Sequence, residues 1–433
     1  MVLCNEENRN GWCIVERKIV AVIGAGASGL TAAIECARLI GGENVVLLEK
    51  QKRPGRKLLA TGSGRCNITN SNISAGRYHG DEAVIRSVLS DFTAQDMSEF
   101  LASLGVLIRE DDEGRCYPYS NQASTILDSM LKALKSLGVS TVLGFAVEAL
   151  KRERGGFRIS GGDKCITAEN VILATGSCAS PMLGADGSGY RLLRELGIES
   201  TTLFPALCPI ETEEDCSILK GVRSKGTVTL TADGRKLRSS SGEIQFTGQG
   251  ISGICVFEQS RAVGEFLSSG SVNGTPCREV RLSLDVMSAY SFPELCLYLN
   301  ECRKIFGNEE ASSILCGALN PRLSQYITGA CRLSGKQCAT LTQQDIKRIA
   351  NAVKGLTFTP KPVLSFKNAQ VSAGGISSGC VDPHTLSAHK YNNLYVCGEL
   401  LDADGDCGGF NLHFAFGSGL RAARMLAVKR KAE

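Results

Sequence analysis

The sequence predicts an α/β fold. A mostly parallel sheet is wound with helices and interrupted by an insert that is β-rich first and helical afterwards. Three observations predict it. A β-branched run at Ile19–Ile23 passes through a Gly-rich turn into the helically spaced "LTAAIECARLI" and then into a second apolar run, "NVVLLEK". Two later apolar runs end on small residues, at Ala174-Thr175-Gly176 and at Cys397-Gly398-Glu399, and read as further buried strands. Between these two, near Phe204-Pro205, the pattern changes. Thr227–Leu230 and Arg278–Val286 alternate as strands do, and Phe292–Val353 is helical.

At 433 residues the chain is too long for one ordinary core. It divides into a tail (1–17), a discontinuous α/β domain (18–195 and 358–433) and an insert (196–357). The insert is β-rich over about 196–287 and helical over about 288–357. Hydrophobic residues make up 43% and charged residues 21%, as in a soluble globular protein. A net charge of +4 without long Lys/Arg runs gives no nucleic-acid footprint. The basic end "VKRKAE" reads as a solvated terminus. The uncharged run Ile19–Ile34 carries three glycines and reads as strand, turn and helix start, so no membrane partner is expected. The 19 cysteines include no Cys-x-x-Cys, and the only histidines are His79, His384, His389 and His413, so neither a redox dithiol nor a metal site is expected. Unpaired thiols and a start without an apolar core point to a reducing, cytoplasmic setting.

The first turn, Gly24-Ala25-Gly26-Ala27-Ser28-Gly29, stands between a strand and a helix, and Glu49, followed by Lys50, closes the next strand, both being candidate cofactor contacts. Gly24 permits a tight turn. Gly26 lets the backbone approach a pyrophosphate, and Gly29 lets helix and strand pack closely. The helix start faces phosphate, and Glu49 accepts a ribose hydroxyl. This is a Rossmann-type dinucleotide turn. It does not by itself choose between NAD and FAD. The end of the chain does. Glu399 can accept hydroxyls of a ribityl chain, and Gly408-Gly409 open a second helix, "FNLHFAFGSGLRAARML". Its N-terminus suits the part of a flavin where reduction builds negative charge. One turn holds the adenosine diphosphate end and the other holds the flavin.

Three segments, "GRKLLATGSGRCNITN" (Gly55–Asn70), "AQVSAGGI" (Ala369–Ile376) and "GELLDADGDCGGFNLHFAFGSG" (Gly398–Gly419), resemble a family of bacterial flavoproteins. These are the NAD(P)/FAD-dependent, aminoacetone-oxidase-like oxidoreductases, which include the bile-acid-inducible 3-dehydro-bile-acid reductases of gut anaerobes. The resemblance covers nearly the whole chain. It implies a Rossmann-type FAD-binding domain interrupted by an insert with a β-rich, barrel-like part and a helical part. It implies FAD contacts at Gly24–Gly29, Glu49, Gly62-Ser63-Gly64-Arg65-Cys66-Asn67, Ala174-Thr175-Gly176, Gly398-Glu399 and Gly409-Phe410-Asn411. Lys57 and Arg65 add cationic side chains that suit the diphosphate or the pyrimidine edge. Gly248 departs from the family, whose members often carry a bulkier polar residue there.

The resemblance implies NADH or NADPH as hydride donor and an enone of a 3-oxo steroid or bile-acid intermediate as small-molecule substrate. Two alternatives stand beside it: an oxidase of small amines or aminoketones, and a flavin-binding, RNA-associated protein without turnover. Gly248-x-Gly250-x-x-Gly253 reads as a tight turn within the insert before it reads as a second nucleotide turn. Tyr117 and Tyr119 can give a proton to substrate or simply pack, and so can His413.

Overall fold

The computed structural model describes residues 13–362 and 364–432. The chain forms two compact units, Met1–Leu203 with Val371–Glu433, and Phe204–Gln370. Five parallel strands make the frame of the first: β1 (Cys13–Ile23), β2 (Val45–Glu49), β3 (Ser140–Leu143), β4 (Lys164–Leu173) and β5 (Tyr391–Val396). They lie in the order β3-β2-β1-β4-β5. The chain winds outward from β1 in one direction, then returns and winds in the other. That reversal defines a switch point at the carboxyl ends of β1 and β4, where open α/β sheets bind ligands. Val20, Val22, Leu47 and Ile172 are wholly buried on one face. Ala21, Val171 and Leu394 are wholly buried on the other. Burial on both faces is why these strands read as continuous apolar runs.

Of the expected tail, residues 1–12 lie outside the described residues. Residues 13–17 open β1, where Cys13–Val15 pair with Lys164–Ile166 before a register shift ahead of Lys18. Leu196 and Ile198 pack into the core beneath the sheet, so the chain stays with the first unit through Leu203, beyond the expected break after residue 195.

In the second unit six antiparallel strands follow the order Ile210–Glu211, Gly250–Ser252, Arg235–Phe246, Arg223–Ala232, Val280–Asp285, Leu356–Phe358. The two edges join: Glu213 N donates to Thr359 O and Lys361 N to Glu211 O, each at 2.9 Å. The sheet therefore closes into a barrel around Val228, Leu230, Ile244, Phe246, Leu282 and Phe358. Closure removes open edges. It also keeps residues 359–361 with this unit, past the expected break after 357. The helical part holds Phe292–Ile305, Pro321–Ala330 and Gln343–Lys354. Capping boxes start the first and third, at Ser291/Glu294 and Thr342/Asp345. Gly250–Ser252 is antiparallel to both neighbours. The Gly248–Gly253 stretch thus lacks the parallel partner strand of a nucleotide-binding unit.

Candidate cofactor site

Each strand end singled out in the sequence lies at the carboxyl side of the parallel sheet. Gly24 has φ +104°, and its amide donates to Leu48 O at 2.7 Å. A Cβ there would press into the backbone of Ala174 and Thr175, with Thr175 Cα at 2.9 Å. A Cβ on Gly29 would strike the carbonyl of Gly24. Helix α1 (Ala27–Ile40) therefore starts directly against the turn. Gly26 differs from both: a Cβ there would meet nothing within 4 Å. The space before Gly26 is open, and the first amides of α1 have no acceptor within the helix. Ser28 is turned inward, where its Oγ would crowd any side chain on Gly398 (φ +71°).

Glu49 is fixed rather than free. Its Oε2 accepts from Ala25 N at 2.7 Å and its Oε1 from Gln51 N at 2.8 Å. Each oxygen keeps a second lone pair for a hydroxyl. Lys50 Nζ lies 2.7 Å from Asp186 Oδ1. The two form an ion pair. Gly55 N donates to Ala25 O and brings the following segment onto the first turn. Lys57 Nζ donates to Glu399 Oε2 at 2.6 Å, while Glu399 Oε1 accepts from Ser372 N at 3.0 Å. The sequence leaves Glu399 free for a ribityl hydroxyl. The structure gives it two partners already, with lone pairs to spare, and ties the first part of the chain to the last.

The second turn is built the same way. Gly408 (φ +132°) and Gly409 (φ +99°) lead into helix α2 (Phe410–Ala432). Asn67, with its amide nitrogen 3.1 Å from Thr69 O and its oxygen 3.2 Å from Gly409 N, staples the Gly62–Asn67 turn to the helix start. Gly62, Ser63, Gly64 and Cys66 all have positive φ, at 55°, 55°, 85° and 60°. Ser63 and Cys66 hold this conformation without being glycine, which is strained backbone. The Cys66 thiol is buried, which pushes its pKa up to about 12.

Phe410 and Asn411 offer only backbone. The Phe410 ring is buried with its carbonyl accepting from Tyr78 OH at 2.9 Å, and the Asn411 amide is spent on Gly405 N and O, both at 2.8 Å. Helices α1 and α2 cross at close range, since a Cβ on Gly419 would meet the Ser28 backbone.

His413 is not poised for chemistry. It is fully buried. Its Nε2 donates to Phe92 O at 2.9 Å, so Nδ1 accepts from Thr69 Oγ1 at 2.8 Å. Burial pushes its pKa down to about 4, which keeps it neutral.

The residues fit FAD. There is open space before the first turn, a carboxylate at the end of β2, and a second helix start whose leading amides lack intrahelical acceptors. Strand order and site together define a Rossmann-type FAD-binding fold. The chain belongs to the family described as HI0933-like protein Rossmann domain, whose model matches residues 18–425. It is 36% identical over 416 residues to a 3-dehydro-bile acid delta(4,6)-reductase of Clostridium scindens, covering 95% of this chain and 99% of that one. It is 26% identical over 425 residues to a ribosomal RNA dihydrouridine synthase of Escherichia coli, covering 96% and 100%. Among solved structures it is similar in fold to 3-ketosteroid delta1-dehydrogenase from Sterolibacterium denitrificans, with a TM-score of 0.51, 13% identity, and 96% and 100% of the two chains covered. Among the described residues no helix is long and apolar enough to cross a membrane, and no cluster of His, Cys, Asp and Glu could hold a metal ion.

Proposed function

We propose that this protein is an FAD-dependent oxidoreductase that uses NADH or NADPH to saturate a C=C bond conjugated to a carbonyl, in a 3-oxo steroid or bile-acid intermediate. The observation that carries the reading is 36% identity, over nearly the whole of both chains, to a reductase named for that reaction. Bound FAD would supply hydride acceptance from the nicotinamide and hydride donation to substrate. The protein's part is to hold and orient. Gly24–Gly29 and the start of α1 would face the diphosphate. Glu49 would take the ribose. Lys57 and Glu399 would stand beside the ribityl chain, and the amides that open α2 would face the flavin's electron-rich edge. The Gly62–Asn67 turn and Ala174–Gly176 complete the wall.

A second reading rests on the dihydrouridine synthases. Dihydrouridine is uridine with a carbonyl-conjugated C=C saturated, so the chemistry is shared and only the substrate differs. The lower identity and the low net charge favour the small molecule, and no nucleic-acid partner is proposed.

A single-turnover comparison tests both. Enzyme reduced anaerobically is mixed with a 3-oxo-4-ene steroid, with a ribosomal RNA fragment, or with air-saturated buffer. Fast reoxidation by the steroid, giving a saturated ring, is expected. Reoxidation by oxygen alone, with an amine or aminoketone able to reduce the flavin, would overturn the reading in favour of an oxidase. Saturation of uridine alone would move the substrate to RNA. Glu49→Ala should also weaken FAD binding by about 1–3 kcal/mol, the scale of hydrogen bonds to a charged group. Titration of the apoprotein with FAD measures it, and an unchanged Kd would return Glu49 to a purely structural role.

A further inference from the structure

A reductase of this kind needs a donor for the carbonyl oxygen, because charge collects there as the C=C bond is attacked. Neither the dinucleotide turn nor the second helix start supplies one. The Gly62–Asn67 turn and the strand packed against it carry two candidate donors. Tyr117, on the strand Arg115–Pro118, is 7% exposed, yet its hydroxyl bonds to no described residue and is not sealed from solvent. The hydroxyl is thus the solvent-facing end of an otherwise buried ring, and it is open to a ligand acceptor. The ring lies against the turn, 3.7 Å from where a Cβ on Gly62 would stand. The Arg65 guanidinium sits over it, 5.0 Å from the ring centroid, with Nε held by Gly62 O at 3.2 Å. Among the described residues Arg65 has no carboxylate partner. The same turn is stapled through Asn67 to Gly409 N, at the start of α2. An unpaired cation and an unpartnered hydroxyl thus share one wall beside the helix start that faces the flavin in the proposed function.

We propose that Arg65 and Tyr117 together bind the carbonyl oxygen of the substrate and stabilise the negative charge it acquires. The inference rests on the proposed enone reduction. A hydride, two electrons with one proton, that bound FAD would pass on from reduced nicotinamide would form the C–H bond at the β-carbon. The π pair shifts to the α-carbon and carbonyl, and the oxygen becomes an enolate held by the Arg65 Nη groups and the Tyr117 O–H. A solvent proton then forms the C–H bond at the α-carbon. The competing candidates are occupied: His413 has both nitrogens bonded, and Tyr78 donates to Phe410 O, with burial holding its phenol well above the usual range.

The test uses holoenzyme and a steroid with a phenolic A ring, whose phenolate mimics the enolate. Tyr117→Phe and Arg65→Gln should each weaken that probe about tenfold or more and slow enone reduction about a hundredfold, the scale of removing one oxyanion donor. In Tyr117→Phe the FAD affinity of the apoprotein should stay within about twofold and thermal stability should be unchanged, because the hydroxyl has no partner in the fold. Because both donors share one oxygen, the double variant should lose less than the product of the two single losses. Unchanged probe binding in Tyr117→Phe overturns the proposal. So does a loss of FAD affinity with probe binding intact, which would assign the pair to the cofactor. A parent enzyme that reduces no enone would overturn the proposed function itself, and the proposal with it.

Discussion

Gly26→Val is expected to yield a folded protein that no longer holds FAD. Two facts separate folding from binding at this position. Gly26 has φ −83° and ψ −169°, extended backbone that valine adopts readily, and a Cβ there would touch no protein atom within 4 Å. The fold therefore has no objection to the substitution. The side chain would instead fill the space in front of the first amides of α1, where a pyrophosphate must approach the backbone. Loss of FAD affinity of at least about a hundredfold is expected, which is about 2.7 kcal/mol or more. Flavin absorbance relative to protein absorbance after reconstitution gives the occupancy, and circular dichroism melting gives the fold. Parent-like occupancy would show that the ligand does not come to Gly26. The control is Gly29→Ala, which should fail in the opposite way. Its Cβ runs into the Gly24 carbonyl, so the helix must move off the turn and the protein should melt early whether or not FAD is present.

The contrast between Gly26 and Gly29 marks how far the sequence could be read. The spacing of the first glycines assigned each a role. The parallel sheet, the acid at the end of β2 and the insert of strands followed by helices were likewise legible, because each depends on local periodicity or short-range spacing. Long-range pairing was not. Nothing near Glu399 says that Lys57 neutralises it, since the partners are 342 residues apart. Asn411 lies two residues past Gly409 and invites a ligand contact, yet its amide is taken up by the backbone of Gly405. Tyr117 could be noted beside a proline but not placed under Arg65. Domain edges shifted for a related reason. Leu196, Ile198 and residues 359–361 belong where packing and edge hydrogen bonds put them, and periodicity carries no record of which core a residue enters.

Acid should destabilise this protein through His413 before most carboxylates matter. The imidazole titrates at its ordinary value of 6.5 in the unfolded chain and at about 4 in the fold, chiefly because burial opposes the charge. Its stabilising contribution is therefore complete above about pH 6.5 and is lost as pH falls toward 4, where the unfolded state holds a proton that the folded state does not. The full loss is about 3 kcal/mol. Protonation need not leave Nδ1 without a partner, since the Thr69 hydroxyl can turn from donor to acceptor. The cost is desolvation of the cation in a fully buried site. His413→Gln keeps one donor and one acceptor in about the same places and cannot titrate. Urea unfolding of apoprotein at pH 7 and pH 4.5, in parent and variant, isolates the effect, because carboxylates common to both cancel in the comparison. The parent should lose about 2–3 kcal/mol more than the variant over this interval. Equal losses in the two proteins would mean that His413 is not held neutral, and that the Thr69–His413–Phe92 clamp on the first turn of α2 is looser than its distances of 2.8 and 2.9 Å imply.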